Sequence, residues 1–224
     1  VDWFPKGFWH RLGLIHSRVS KLHVRPSIWH STYYTLPVSH WRGRQVVTVY
    51  DMIYATRPDI YQDRVSDEFR MRQKQCVAQA DAVICISNTT RQDLTEHYQV
   101  DPNICHVTPL SYNPFFIPLA SENLIAQPYA TPFLLYVGMR GAHKNANRLL
   151  QAYSNWARRD EVPLVFVGSA WKPEELATLE TLGIIDHVIR LTGVDDEHLR
   201  QLYNQAAAFV YPSEYEGFGI PVLE

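Results

Sequence analysis

Long apolar runs are missing from this sequence. Although 46% of the 224 residues are hydrophobic, which is enough for a packed core, no apolar run approaches the roughly 18 residues that span a membrane. We therefore expect one large or two small domains and no transmembrane helix.

Positive charge is not in excess either. The chain carries 21 lysines and arginines against 23 acidic residues, a formal net charge of −2. This balance argues against a nucleic-acid partner, because such proteins bind by neutralising phosphates. The three cysteines, Cys76, Cys85 and Cys105, are odd in number and too widely spaced for a Cys-x2-Cys metal site. They suit a reducing cytoplasm, and we expect them to be buried.

Metal-binding spacings are absent as well. The ten histidines form no His-x3-His pattern, and no Asp-x-Asp triplet occurs anywhere in the chain. Since His clusters and acidic triplets are common metal ligands, we expect no metal ion. His30 is better explained as a hydrogen-bonded core or loop residue than as a base.

What the sequence does contain is a regular alternation of strands and helices. Short β-branched and aromatic runs predict strands at 27–30, 45–50, 82–86, 104–107, 133–137, 164–167, 188–191 and 209–211. Helical periodicity predicts helices at 9–22, 64–80, 88–98 (capped by Ser87 or Asn88), 145–158, 173–182 and 195–207. Single helices between strands indicate parallel βαβ units, so the class is α/β. Prolines and small polar residues predict a linker at 118–132, between domains at 1–117 and 133–224.

The last fourteen residues, 211–224, carry the strongest functional signal. They follow a predicted strand, at the sheet edge where open α/β sheets bind ligands. Gly217 and Gly219 allow close backbone approach, and Ile220 begins a predicted helix whose free N–H groups suit an anion. Two carboxylates, Glu216 and Glu224, enclose this turn with seven residues between them.

These residues resemble a known family. The segment 216–224 looks like the Glu-x7-Glu signature of retaining nucleotide-sugar glycosyltransferases of family 4. Segments 47–51 with Arg57-Pro58, 80–87 and 136–145 are similar to the other motifs of that family, and they occur in the family's order. Tyr50 stands where many members have His. The family's first strand and its last third would lie before Val1 and after Glu224, so we expect both ends of the chain to be incomplete.

The resemblance implies a GT-B fold, in which two Rossmann-like domains face each other. It also implies retaining transfer of a hexosyl group, with mannosyl preferred, from a GDP- or UDP-linked sugar to an acceptor hydroxyl in polysaccharide or lipopolysaccharide synthesis. The implied partners are this donor and a glycan or lipid-linked acceptor. The expected location is the cytoplasm, with a peripheral contact to the inner membrane, and no cofactor is expected.

The family's site residues carry over by motif. Lys144 and Arg140, beside Gly138, would hold the donor diphosphate, Glu216 the sugar, Glu224 the ribose and Asp51 the acceptor hydroxyl. The donor wall would comprise Ser213, Gly217, Phe218, Gly219 and Ile220. Simpler explanations stay open: Arg140 and Lys144 as solvated loop cations, Asp51 as a loop or cap carboxylate, and Ser87 as an N-cap rather than a cleft residue.

Two other functions remain open on the sequence. One is a dinucleotide-binding oxidoreductase, which βαβ repeats suit equally well. Against it, the segment 217–222 lacks the third Gly or Ala of the dinucleotide fingerprint. The other is an inactive fragment that acts as a binding module.

Overall fold

The computed structural model describes residues 27–37, 41–126 and 132–224. It contains two separate parallel sheets, one on each side of the predicted linker at 118–132. The helix predicted at 9–22 lies outside the described residues.

The first sheet has four strands in the order β1-β2-β3-β4. They are β1 Ile28–Ser31, β2 Arg44–Val49, β3 Ala82–Cys85 and β4 Cys105–Val107. Their helices are α1 Ile53–Thr56, α2 Arg64–Ala78 and α3 Asn88–Tyr98. The two longer helices begin at side-chain caps: Asp63 accepts a hydrogen bond from the Ser66 amide, and Ser87 accepts one from the Thr90 amide. Ser87 is therefore an N-cap.

The second sheet has the order β7-β6-β5-β8. Its strands are β5 Leu134–Val137, β6 Leu164–Val167, β7 Val188–Leu191 and β8 Ala208–Phe209, with helices α4 Ala146–Ser154, α5 Pro173–Thr181 and α6 Asp196–Gln205. The chain leaves β5 toward β6 and β7 and returns on the other side of β5 with β8. The gap between β5 and β8 is thus a topological switch point, where a ligand crevice opens beyond the carboxyl ends of the strands.

Both faces of the second sheet are covered, which explains why its strands are apolar without alternation. All four residues of β6 are buried. Leu150, Tyr153 and Phe166 belong to the core on one face, and Phe133 and Leu202 belong to the core on the other. In the first sheet, Val47, Val83 and Leu94 lie in a core that also buries Cys76, Cys85 and Cys105. None of the three cysteines forms a disulfide, as their burial and spacing predict.

The segment that joins the two sheets lies along α6. The Leu119 amide donates to Asn204 Oδ1 at 2.7 Å, and the Ile125 amide donates to Gln201 Oε1 at 3.1 Å. The Gln201 amide group also donates to the Asn123 carbonyl. The side-chain amides of α6 therefore form hydrogen bonds with backbone groups of the linker that have no partner in a strand or helix.

The predicted elements agree with the structure except near their ends. The helix predicted at 145–158 ends at Ser154, and the chain turns back so that the carbonyl oxygens of Arg159 and Val162 lie 3.0 and 2.9 Å from the buried Tyr153 hydroxyl. The segment Ile220–Val222 forms a 3-10 turn where an α-helix was expected. β8 has only two residues, both paired with β5. No helix in the described ranges is long and apolar enough to cross a membrane.

Candidate active site

The loop between β5 and α4 lies on one side of the switch point. It begins at Gly138, whose φ of +134° is readily adopted only by glycine, and it includes a 3-10 turn at Ala142–Lys144. Asn145, with φ at +58°, then starts α4. This backbone places Lys144 immediately before the first turn of the helix.

The loop after β8 lies on the other side of the switch point. Its Gly217 packs against the end of β2, where an added Cβ would lie 1.9 Å from the Tyr50 carbonyl oxygen. Any side chain here would push the loop away from the first sheet. Gly219, with φ at +91°, makes the turn that leads into Ile220–Val222. Phe218 and Ile220 are half-buried in this turn.

The two loops meet in an ion pair. Lys144 Nζ lies 2.5 Å from Glu216 Oε1, and only about a fifth of each side chain is exposed. The ammonium also lies 5.9 Å from the centre of the Tyr211 ring. Burial alone would raise the pKa of Glu216, but Lys144 and the nearby Ser213 and Tyr211 hydroxyls hold the pKa below its usual value. Glu216 is therefore an ionised acceptor at neutral pH.

Two buried hydroxyls beside this pair lack a hydrogen bond of acceptable geometry. They are Tyr211 Oη and Ser213 Oγ. Both are close enough to Glu216 to lower its pKa. Buried polar groups without partners are rare in native proteins, and a ligand rich in hydroxyl groups would provide partners for both.

Asp51 approaches the ion pair from the first sheet, at the end of β2. Its carboxylate accepts from the Ile53 amide at 3.0 Å, and Gln73 holds its carbonyl oxygen at 2.8 Å. Burial raises the pKa of Asp51, the Ile53 amide opposes that shift, and the charges of Glu216 and Lys144 act on it in opposite directions. Asp51, Lys144 and Glu216 thus share one electrostatic environment, built from both sheets.

Two further contacts beside these residues join the halves of the chain. Arg57 Nη1 lies 2.5 Å from Glu214 Oε2, and the Tyr61 hydroxyl is hydrogen-bonded to His143 Nδ1. Burial, and next the charge of Lys144, lowers the pKa of His143, so this ring is neutral at pH 7. Arg57 was predicted only as part of a motif and Tyr61 was assigned no role, because local spacing carries no information about such distant partners.

Arg140 is not turned toward Lys144. Its guanidinium pairs with Glu175 at 2.7 Å, donates to the carbonyls of Ser169 and Ala170, and lies 4.2 Å from the centre of the Trp171 ring. Only 4% of the Arg140 side chain is exposed. In this arrangement it anchors the start of α5, and it is not a solvated loop cation.

Glu224 has a different set of neighbours. It accepts from the Tyr203 hydroxyl at 3.1 Å. It also lines a cleft of ≈ 200 Å³ together with Phe116, Ile117, Pro118, Arg200, Tyr203 and Asn204. Glu216 and Asp51, the other acidic candidates, therefore lie near Lys144, whereas Glu224 does not contact this group. His30 is bonded to Thr48 at 2.9 Å, which agrees with a structural role. Asp93, Glu96 and His97 lie close enough together on α3 to hold a cation, and Asp93 Oδ2 also accepts a hydrogen bond from the Tyr215 hydroxyl.

Comparison with known families decides what kind of protein carries this site. Residues 2–114 match the family described as Glycosyltransferase Family 4, and residues 125–224 match Glycosyl transferases group 1. The chain belongs to glycosyltransferase family 4. This family 4 chain is 31% identical over 209 residues to O-antigen chain mannosyltransferase B of Escherichia coli, with 88% of the chain and 54% of that protein covered.

A second relative of the family 4 chain is the O-antigen chain mannosyltransferase RfbU of Salmonella typhimurium, which is 26% identical over 222 residues. The match covers 99% of the chain and 58% of RfbU, so the chain spans about half the length of the curated relatives it matches.

Solved structures agree on the fold of the family 4 chain. WaaG, a glycosyltransferase involved in lipopolysaccharide biosynthesis, aligns with a TM-score of 0.67 at 18% identity, over 96% of this chain and 60% of WaaG. Sucrose-phosphate synthase from Thermosynechococcus elongatus aligns with a TM-score of 0.69 at 19% identity, over 98% of this chain and 59% of the synthase. The GT-B fold predicted from the motifs is thereby confirmed.

Proposed function

We propose that this protein transfers a hexosyl group from a nucleotide-sugar to an acceptor hydroxyl with retention of configuration, in the assembly of a surface polysaccharide or lipopolysaccharide. Mannose carried by GDP is the donor we favour. The names of two related mannosyltransferases of O-antigen chains support the sugar and the pathway class.

The observation that carries the proposal is the Lys144–Glu216 pair at the switch point, 2.5 Å apart. Transfer breaks a sugar–phosphate bond, so negative charge develops on the leaving diphosphate. A fixed ammonium at that position lowers the barrier because it stabilises charge in the transition state more than in the ground state. Lys144 lies just before the start of α4, where the helix dipole adds to its effect.

Glu216 and its neighbours form the sugar side of the proposed site. When the donor binds, Lys144 turns to the diphosphate and the Glu216 carboxylate accepts from sugar hydroxyls instead. The unpaired hydroxyls of Tyr211 and Ser213 then bond to the same sugar. The backbone of Gly217, Phe218, Gly219 and Ile220 forms the adjacent wall, which approaches closely because two of these residues are glycines.

Asp51 serves the acceptor in this proposal. Its pKa is raised by burial, which makes the carboxylate a better hydrogen-bond acceptor for the attacking hydroxyl. Tyr33, Tyr54 and Tyr61 lie near Asp51. Burial raises the pKa of each phenol most, and the charge of Asp51 is the second cause. Aromatic rings with polar tips beside a carboxylate suit a sugar, which presents apolar ring faces and hydroxyl groups.

The remaining roles belong to residues that do not contact the Lys144–Glu216 pair. We propose that Glu224 accepts from the ribose diol and that Arg140 supplies a second cation near the diphosphate once the donor is bound. The reaction would need no metal ion. The acceptor would be a glycan or a lipid-linked glycan, met in the cytoplasm at the membrane surface.

Calorimetric titration tests the proposal. The protein, expressed from its complete reading frame, would be titrated with GDP-mannose, UDP-glucose and NAD, and then assayed for sugar transfer. We expect binding of a nucleotide-sugar, and we expect it to weaken in Lys144→Met, with Lys172→Met as a control at an exposed lysine. Binding of NAD alone would support the oxidoreductase alternative. Donor binding without turnover would indicate a binding module.

A further inference from the structure

We propose that Tyr215 is a positioning residue whose hydroxyl sets the separation between the loops that carry Asp51 and Glu216. This inference rests on the proposed function, since it assigns these two carboxylates to the two substrates of one transfer reaction. It concerns a residue that takes no part in the chemistry.

The Tyr215 hydroxyl makes two hydrogen bonds, both to the other half of the chain. It accepts from the Met52 amide at 3.0 Å and donates to Asp93 Oδ2 at 2.6 Å. Met52 follows β2 and is fully buried, while Asp93 lies on α3. Tyr215 itself follows β8 in the second sheet domain. One phenol therefore bridges two elements of the first domain from a loop of the second.

The partners of this bridge are adjacent in the chain to the two carboxylates of the proposed site. Met52 is the residue after Asp51, and Tyr215 is the residue before Glu216. The hydrogen bond from Met52 to Tyr215 thus connects the backbones that carry the acceptor-side and donor-side carboxylates. A shift of this contact would displace one acid relative to the other, and displacements near 1 Å are costly to catalysis.

The residues next to Tyr215 reinforce the same alignment. Glu214 pairs with Arg57, and Gly217 packs against the Tyr50 carbonyl so closely that only glycine fits. Tyr215 differs from them because its partner is the amide directly after Asp51.

A phenol is suited to this position by its chemistry. It accepts and donates at once, whereas phenylalanine does neither and would leave the buried Met52 amide without a partner. Burial, then the hydrogen bond to Asp93, raises the pKa of Tyr215, so the hydroxyl keeps its proton at every working pH. The 2.6 Å separation between the Tyr215 hydroxyl and Asp93 Oδ2 is typical of a strong bond to a carboxyl group.

The test compares Tyr215→Phe with Tyr153→Phe in the protein expressed from its complete reading frame. Tyr153 is a matched control, since it is buried and its hydroxyl proton is shared among three carbonyl oxygens within 3.2 Å, all in the second domain. We expect Tyr215→Phe to lower kcat for transfer about tenfold or more, with a smaller loss of donor affinity, because the loosened loop also carries the donor-side residues. Tyr153→Phe should lower Tm and leave kcat unchanged.

A second pair of variants covers the case in which Tyr215→Phe folds poorly. Asp93→Asn keeps an oxygen acceptor for the phenol and should retain most of kcat, whereas Asp93→Ala removes one of its two hydrogen bonds and should lower kcat, though by less than Tyr215→Phe. Equal kcat in all four variants would overturn the inference.

Amide hydrogen exchange separates this inference from the proposed function, because it needs no turnover. We expect the Met52 amide and the 213–219 backbone to exchange at least tenfold faster in Tyr215→Phe than in the parent, and Tyr153→Phe to show no such change. Unchanged exchange refutes the positioning role even in an active enzyme. If exchange is faster in Tyr215→Phe and the parent protein transfers no sugar, the proposed function is refuted and the bridge is established.

Discussion

Lys144 Nζ and Glu216 Oε1 lie 2.5 Å apart, although 72 residues separate them in the chain. The contact exists because β5 and β8 are neighbours in the sheet, so the loops that follow them open at the same edge. Sequence order alone does not dictate this, since β6 and β7 come between them in the chain.

Removing the ammonium is the most direct test of this pair. We expect Lys144→Ala to lower kcat by about 10²–10³-fold, the usual effect of deleting a group that stabilises transition-state charge. We also expect roughly 1–3 kcal/mol of lost stability, between the values for exposed and fully buried ion pairs. Steady-state kinetics and urea unfolding measure the two effects. Wild-type kcat in a folded Lys144→Ala protein would contradict the role.

Glycine at position 217 provides a second test, of the contact between the halves of the chain. An alanine Cβ would lie 1.9 Å from the Tyr50 carbonyl oxygen, so Gly217→Ala must move the loop that carries Glu216. We expect at least a tenfold loss of kcat and a stability loss of about 1–3 kcal/mol, as overpacking usually costs.

Gly183→Ala is the matched control for Gly217→Ala. Gly183 has φ at +64° but open space around its Cβ, so alanine there costs only backbone strain, about 1–2 kcal/mol. Both variants should be destabilised, and only Gly217→Ala should lose kcat. Equal losses of kcat would show that stability, and not loop position, governs the activity.

Local sequence signals were sufficient for most of the fold. β6 and β7 lie at the predicted positions because their β-branched and aromatic runs are bounded by turn residues. The end of α4 was predicted four residues too late, since the chain turns back there against the hydroxyl of Tyr153 and no periodicity reports that contact. The order of β5 and β8 in the sheet is likewise a property of the whole domain.

The residues of the candidate site could be proposed from the sequence only where a motif encodes them. Lys144, Glu216 and Asp51 were identified through family resemblance, and the structure brings them together. Arg140 came from the same motif, yet α5 packs so that Glu175 takes up its guanidinium. Tyr215 was not singled out, because its partners Met52 and Asp93 are 163 and 122 residues away. Contacts at such separations depend on how the domains meet.

Arg140 gives a third prediction, about stability more than binding. Its side chain and that of Glu175 are 4% and 16% exposed, so Arg140→Ala leaves a largely buried carboxylate without its cation, with the Lys172 amide as its remaining hydrogen-bond donor. We expect a stability loss of about 3–5 kcal/mol. Donor affinity should fall less than in Lys144→Ala, as measured by calorimetry at a temperature where both variants are folded. A stable Arg140→Ala protein that binds no donor would reverse this assignment.

Asp51 gives a fourth prediction, in which the pH dependence has a defined sign. Burial raises its folded pKa above the unfolded value of about 3.9, so the folded state binds the proton more tightly. Stability is therefore lost as pH rises through the window between the two pKa values, and the full penalty is present above the folded pKa. We expect Asp51→Asn, which keeps an acceptor for the Ile53 amide, to be more stable than the parent at pH 7 while losing transfer activity.

The gain from Asp51→Asn should disappear as pH falls below about 3.9, because the parent carboxyl is then protonated in both states. Asp63→Asn is the control of opposite sign. Hydrogen bonds from Ser66 lower the pKa of Asp63, so its contribution to stability is present at pH 7 and is lost on acidification. At pH 7 the urea midpoint of Asp51→Asn should therefore lie above that of the parent, and the midpoint of Asp63→Asn should lie below it. At low pH the three midpoints should converge. A stability loss in Asp51→Asn at pH 7 would show that the carboxylate is stabilised where it lies, which contradicts a strained acceptor-binding group.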